Sequence, residues 1–384
     1  MEAIIETKAL QQAVKQAGKA IGGKSSPWPA VRIQAGKEGL SFDATNSDTY
    51  GHTSVECITS PDKGPDTVIV SSSLLAKLSG KLPAGEVFMS SAVGQLTIGG
   101  AVVPTMALED FPDTPRIEGA LLVGVFPGDV FKGLAKRLKA ASIKAASTTR
   151  IALTGVNIVS GAGRVKFAAT DGHRLLLEEY ATGCSESGAV LVNAAELARI
   201  ATLVKIADIV RLEVVPAPTD RSGYANRARL VVSFSSATYQ LRGISEEFPD
   251  FERVIPSGAG VKFTIGRRLF ASAIARGGIV ANDAGAVTLA LESGSSVLSM
   301  SSGCHDRGNY QECVRMSSAV WESCEPVKFN GAYIADVLKL GKSGSVSVTL
   351  GAPLQAALFS TDGDTVPGRT RQAWVLMPLN PDDV

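Results

Sequence analysis

The chain has 384 residues, of which 45% are hydrophobic and 20% charged, with a formal net charge of only +1. Its length exceeds what one hydrophobic core supports, at roughly 100 to 200 residues per domain, and its composition excludes a disordered chain. No apolar run approaches a membrane span, and the five cysteines, Cys57, Cys184, Cys304, Cys313 and Cys324, are scattered without a CxxC pair. A cytoplasmic, non-exported protein with neither a disulfide framework nor a membrane segment is therefore expected. Cys304, His305 and Cys313 fit no zinc spacing, so neither a metal nor any other cofactor is expected.

The first predicted element is a helix opening near Glu6, and helices of the same kind open near Gly128 and Gly266. A second helix in each third starts near Ser71, Asn193 and Asn330, which are N-cap residue types. Leu10 to Leu75, Phe131 to Leu197 and Phe270 to Ile334 are separated by 65, 66 and 64 residues. That constancy marks one module written three times. Between the helices the pattern has period two, as in Val287 to Leu291 and Val297 to Met300 around a Glu-Ser-Gly-Ser turn, and again in 346–350 with 354–359. Phe111-Pro112-Asp113 and Phe248-Pro249-Asp250 close the first two thirds, and the proline-containing stretches that follow read as linkers. The expected fold is α+β, with each module two helices packed on antiparallel sheet, and with domains at 1–119, 120–255 and 256–384.

Charge is unevenly placed along this near-neutral chain. Residues 6–24 carry Lys8, Lys15, Lys19 and Lys24 against Glu6; 128–150 carry Lys132, Lys136, Arg137, Lys139, Lys144 and Arg150 against Asp129; 265–280 carry Arg267, Arg268 and Arg276 unopposed. In the middle helix Phe131, Leu134, Ala135 and Leu138 share one face, leaving Lys132, Lys136 and Lys139 as a stripe on another. Three basic helices on one side of an arc would form a positive surface for phosphates with no element to read bases.

Two motifs suggest chemistry that their surroundings do not support. Residues 18–25, Gly-Lys-Ala-Ile-Gly-Gly-Lys-Ser, satisfy a phosphate-loop pattern, yet the glycines follow a helix, and Pro27 and Pro29 forbid the helix that such a loop must open. Asp171, His173 and Arg174 have no GxSxG elbow or convincing nucleophile to work with, and Asp171-Gly172 reads as a turn at a strand end.

Residues 169–177, Ala-Thr-Asp-Gly-His-Arg-Leu-Leu-Leu, together with 248–256, Phe-Pro-Asp-Phe-Glu-Arg-Val-Ile-Pro, and 374–379, Trp-Val-Leu-Met-Pro-Leu, resemble hallmark segments of the bacterial DNA polymerase III beta subunit, the sliding clamp. The likeness spans the chain and includes the Gly22-Gly23-Lys24 loop and Phe329-Asn330 before the last helix. It implies a non-catalytic homodimer whose six domains close a ring around double-stranded DNA, with helices inside and sheets outside. It implies DNA contacts at Lys24 and Arg150 beside the basic residues Lys132, Lys136, Arg137 and Lys139. It also implies a peptide pocket for the DNA polymerase III alpha subunit, other polymerases and the clamp loader complex. By position, that pocket comprises Leu153, Thr170, Gly172, His173, Arg174, Leu175, Pro249, Arg253, Val254, Val375, Leu376, Met377, Pro378 and Leu379. The dimer contact would join Ala101 and Val103 of one copy to Ile279 and Val280 of the other. A specialised relative serving repair, plasmid or phage replication, or inhibitor resistance is a second reading. A nucleic-acid enzyme built on Asp171, His173 and Arg174 is a third, from a different class.

Overall fold

Six α-helices lie among the described residues of the computed structural model, which are 1–22, 28–60, 66–217, 227–256, 260–317, 324–352, 354–361 and 366–380. Each helix starts at the residue after a strand ends. The helices are α1 (Thr7–Ile21), α2 (Ser72–Ser79), α3 (Gly128–Ala141), α4 (Ala194–Ala201), α5 (Arg267–Val280) and α6 (Gly331–Leu340). The junctions are built by local capping. The Asn193 side chain accepts the amides of Ala195 and Glu196, that of Asn330 accepts Ala332, and the Glu6 carboxylate accepts Ala9. Ser71 makes no such cap bond; its hydroxyl pairs with that of Ser73 instead. Along α3, Phe131, Leu134, Ala135 and Leu138 are all buried, as their spacing predicts. Among the described residues, no helix is long and apolar enough to cross a membrane.

Contacts divide the chain into two compact units, Met1–Ala135 with Val159–Gly163 and Gly183–Ser245, and Lys136–Ile158 with Arg164–Thr182 and Glu246–Val384. The first unit contains a five-stranded antiparallel sheet in the order Ile58–Ser60, Glu2–Glu6, Glu86–Ala92, Gln95–Ile98, Ala101–Pro104. It also holds an eight-stranded sheet in which Leu121–Pro127, Ile209–Val215, Arg229–Phe234 and Ala237–Arg242 continue into Thr49–Glu56, Gly39–Thr45, Ala30–Gly36 and Thr67–Ser71. Strands from the first and second thirds of the chain thus share one sheet, through Tyr239 opposite Gly51. Gly51 has no room for a side chain, since a Cβ there would meet Ala20 and the Tyr239 ring.

The second unit has a four-stranded sheet, Gly308–Arg315, Val297–Cys304, Ala286–Leu291, Cys324–Asn330, with α5 packed on α6. Its other strands run Arg164–Thr170 (β1), Arg174–Ala181 (β2) and Arg369–Leu376 (β3), and then Ala357–Ser360, Ser345–Leu350 and Val261–Gly266. Each Phe-Pro-Asp segment plants its phenylalanine in a core. Phe111 packs with Ala30 and Ile69 in the first unit, and Phe248 lies against Leu175, Leu177 and Val375 in the second.

A polar ladder crosses three strands of the first unit. The buried Asp43 carboxylate accepts Arg32 Nη2 at 3.1 Å and pairs with His52 Nδ1 at 2.7 Å, while Arg32 lies over the Phe111 ring at 5.1 Å. The hydrogen bond to Asp43 raises the His52 pKa above its ordinary 6.5, outweighing burial. A raised folded-state pKa means that this stabilisation is complete below the unfolded value and fades as pH rises through the folded one. The melting temperature of the wild type should therefore exceed that of His52→Gln most below pH 6.5 and converge with it at higher pH. A gap independent of pH would contradict this assignment.

Candidate functional site

The hairpin joining β1 to β2 is organised by its own side chains. Gly172 takes φ +93°, a left-handed conformation suited to glycine. The Thr170 hydroxyl donates to the Arg174 carbonyl at 2.7 Å and accepts the Gly172 amide at 3.1 Å. Asp171 Oδ1 accepts the amides of His173 and Arg174, both at 3.0 Å, and its Oδ2 accepts Arg174 Nε at 3.0 Å. Asp171 is thus engaged in building the turn and in pairing with Arg174.

His173 and Arg174 are explained by α6. Arg174 Nη1 donates to Asp336 Oδ2 at 2.6 Å, and its guanidinium lies 4.5 Å from the centre of the Tyr333 ring. The His173 ring stacks on the same tyrosine with centroids 6.3 Å apart. Burial, then the charge of Asp171, pushes the Tyr333 phenol up, so it stays neutral and able to donate.

Along β2 and β3, Arg174 lies opposite Leu376 and Leu175 opposite Val375. Beyond the strand, the Met377 amide donates to the His173 carbonyl at 2.8 Å, and the Leu379 amide to that of Lys328 at 2.8 Å. Ala168, Leu175, Leu177, Ala373 and Val375 form one apolar cluster, covered in part by Phe248, Phe251, Ile255 and Leu358. Leu153 is buried in the 3-10 turn Ile151–Thr154 against β1. Around this wall His173, Gly172, Pro249, Val254, Arg253 and Met377 are exposed, with Pro378 and Leu379 half-buried. Arg253 is 86% exposed and pairs with Asp250 at 2.7 Å.

Most of the sequence-predicted peptide residues therefore meet as an apolar wall with an exposed rim. Leu376 differs: it alternates to the opposite face from Val375 and is fully buried, so it is a core residue. Sequence reasoning missed Tyr333, Asp336, Phe248 and Phe251. The only signal for the first pair was their i, i+3 spacing on the α6 face away from Ile334, Val337 and Leu338.

The basic residues divide into available and engaged. Lys8 and Lys15 on α1, Lys136 and Lys139 on α3, and Lys144, Arg150 and Arg268 are exposed. Lys132 is half-buried and donates to the Val204 carbonyl at 2.8 Å. Arg137 is not available to DNA: it is buried on Glu178, with Nε to Oε1 at 2.5 Å and Nη2 to Oε2 at 2.9 Å. Nor is α5 unopposed, because Arg276 pairs with Glu312 at 2.6 Å and Arg267 donates to the carbonyls of Leu338 and Ser343. Lys24 lies outside the described residues.

The candidate dimer residues also divide. Ala101–Pro104 is the outermost strand of its sheet, but Val103 turns inward and is buried, whereas Val102 is 59% exposed. Ile279 is 75% exposed at the end of α5, and Val280 is half-buried. No group of three His, Cys, Asp or Glu among the described residues is arranged to hold a metal.

The family model for the DNA polymerase III beta subunit, C-terminal domain, matches residues 252–368. The beta sliding clamp of Synechocystis is 26% identical over 280 residues, covering 71% of this chain and 68% of its own. That of Bacillus subtilis is 23% identical over 390 residues, covering 95% and 97%. The crystal structure of the Bacillus subtilis DNA polymerase sliding clamp superposes with a TM-score of 0.85 at 19% identity, covering 99% of each chain.

Replacing Arg174 with alanine should leave Asp171 and Asp336 without their cation and bare the Tyr333 face. The expected cost in urea denaturation is about 2 kcal/mol. A change within about 0.5 kcal/mol would contradict the role assigned to this arginine.

Proposed function

We propose that this chain is a non-catalytic processivity factor of the bacterial beta sliding clamp kind, and that it works as a head-to-tail homodimer of three-domain subunits. The domains are 1–119, 120–255 and 256–384, and the ring they form encircles double-stranded DNA. The observation that carries this reading is the pairing of exposed lysines on the outer faces of α1 and α3 with an apolar wall and rim around Leu175, Val375 and Met377. The lysines suit sequence-independent contact with phosphates, since none sits on an element shaped to read bases. The wall and rim suit a short peptide with apolar anchors, and Met377 provides an adaptable edge for more than one partner. Such peptides would come from the DNA polymerase III alpha subunit, other polymerases and the clamp loader.

The dimer contact in this reading uses the outermost strand Ala101–Pro104 of one copy and the end of α5 around Ile279 of the other. Val102 is added to the sequence-derived pair, because it is the valine whose side chain faces outward.

Two measurements test the proposal. A labelled peptide of the Gln-Leu-x-Leu-Phe kind should bind the intact protein saturably and lose binding when the chain is cut before Met377; equal binding by both forms would contradict the site. For duplex DNA at low salt, Lys136→Ala with Lys139→Ala should reduce the slope of log affinity against log salt by about one for each phosphate no longer neutralised. An unchanged slope would remove α3 from the DNA surface.

A further inference from the structure

Strand β3 carries one residue more than β2 can match. Glu178 lies opposite Gln372 and Glu179 opposite Arg371, but Tyr180 lies opposite Arg369, which leaves Thr370 as a bulge. A bulge can in principle be taken up at another point along a strand. Moving it toward the C-terminal end would shift each intervening residue by one and turn its side chain to the other face. Val375 would then leave the cluster with Leu175 and Phe248, and the Met377 amide would lose the His173 carbonyl.

One buried carboxylate stands beside that bulge. Glu178, fully buried, accepts Gln372 Nε2 at 2.9 Å on one side of Thr370, and Arg369 Nη1 lies 3.9 Å from it on the other. The Tyr180 hydroxyl donates to the same group at 2.6 Å, and the Thr361 hydroxyl donates to the far side of the Gln372 amide. An isolated charge so deep would be neutralised by protonation and lose an acceptor. Arg137 prevents this by approaching from α3 with two parallel N–H donors. Burial alone would push the Glu178 carboxyl up, but the bonds from Arg137, Tyr180 and Gln372 hold it below the usual carboxylate range. It therefore remains a four-way acceptor.

We propose that the Arg137–Glu178 pair is a register lock for β3, fixing the bulge at Thr370 and thereby positioning Val375 and Met377 in the peptide site. The proposal rests on the peptide-site reading above. Arg137 touches no peptide; it is a positioning residue that acts through Glu178. At the N-terminal end of β2 a second arginine, Arg174, pins the strand to α6 through Asp336 and Tyr333, so β2 is fastened by charge at its start and again near its middle. The lock accounts for a basic residue turned inward on an otherwise lysine-faced helix.

The test uses the full-length protein and two variants: Gln372→Leu, which frees β3 while keeping the ion pair, and the double change Arg137→Met with Glu178→Leu, which removes both charges and avoids an orphaned one. Hydrogen exchange at the Met377 amide, exchange at the Ile33 amide of the other unit, and peptide affinity are read together. Both variants should exchange Met377 at least about tenfold faster and bind peptide about tenfold more weakly, with Ile33 protected as in the wild type. Wild-type protection at Met377, or equal losses at Met377 and Ile33, would overturn the lock. Unchanged peptide affinity despite exposed Met377 would overturn its positioning role. Failure of the wild type itself to bind peptide would count against the peptide site and with it the positioning role, while exchange at Met377 would still decide the lock.

Discussion

Strand β2 is hydrogen-bonded along both edges, to β1 and β3, and its two faces have opposite characters. Leu175 and Leu177 face an apolar cluster, whereas Arg174 and Glu178 carry charge into protein on the other side. A strand with that alternation tolerates no slip, because moving one residue would bury the wrong set against the wrong neighbours. The proposed peptide site depends on this constraint. Its wall is a pair of residues on β2 and β3, and its rim is the turn before β2 and the segment after β3. The His173 carbonyl joins turn and segment by holding the Met377 amide. Phe248 and Phe251 add weight to the wall from a segment that has no regular strand among its described residues.

Charge follows a similar division of labour. Of the basic residues that mark the three first helices in the sequence, Lys8 and Lys15 on α1 and the stripe of Lys136 and Lys139 on α3 face water, whereas those on α5 are mostly engaged. Arg276 answers Glu312, and Arg267 satisfies the Leu338 carbonyl in the last turn of α6 and the Ser343 carbonyl just beyond it, a common use of a cation at a helix C-terminus. In the proposed ring, the positive charge available to DNA is accordingly weighted toward the first two thirds of the chain. A ring of the proposed kind needs no more than that, because closure around a duplex would replace affinity, and weak phosphate contacts would leave sliding unhindered.

The strand-to-helix junctions were legible in the sequence because they rest on local chemistry: Asn193 and Asn330 as caps, and apolar spacing in α3. The hairpin around Gly172 was legible for the same reason, since Asp171 and Gly172 state their turn directly. What was not legible lies in contacts between distant segments. The pairing of Ala237–Arg242 with Thr49–Glu56, which makes a compact unit differ from a sequence repeat, leaves no local mark. Arg137 looked like one more cation in a basic helix, and only its partner 41 residues later reveals it as buried. Val102 and Val103 are indistinguishable until the strand's faces are known, and Leu376 is separated from Val375 by the same alternation. The resemblance to sliding clamps named candidate peptide residues that periodicity could not, while Tyr333 and Asp336 had to come from the fold.

The most direct test of the central claim is topological. Loaded onto a nicked circular plasmid and passed through gel filtration in high salt, the protein should remain with the DNA and be released when the circle is cut once. Release from the intact circle under the same conditions, or retention after linearisation, would contradict a closed ring that holds DNA by encirclement.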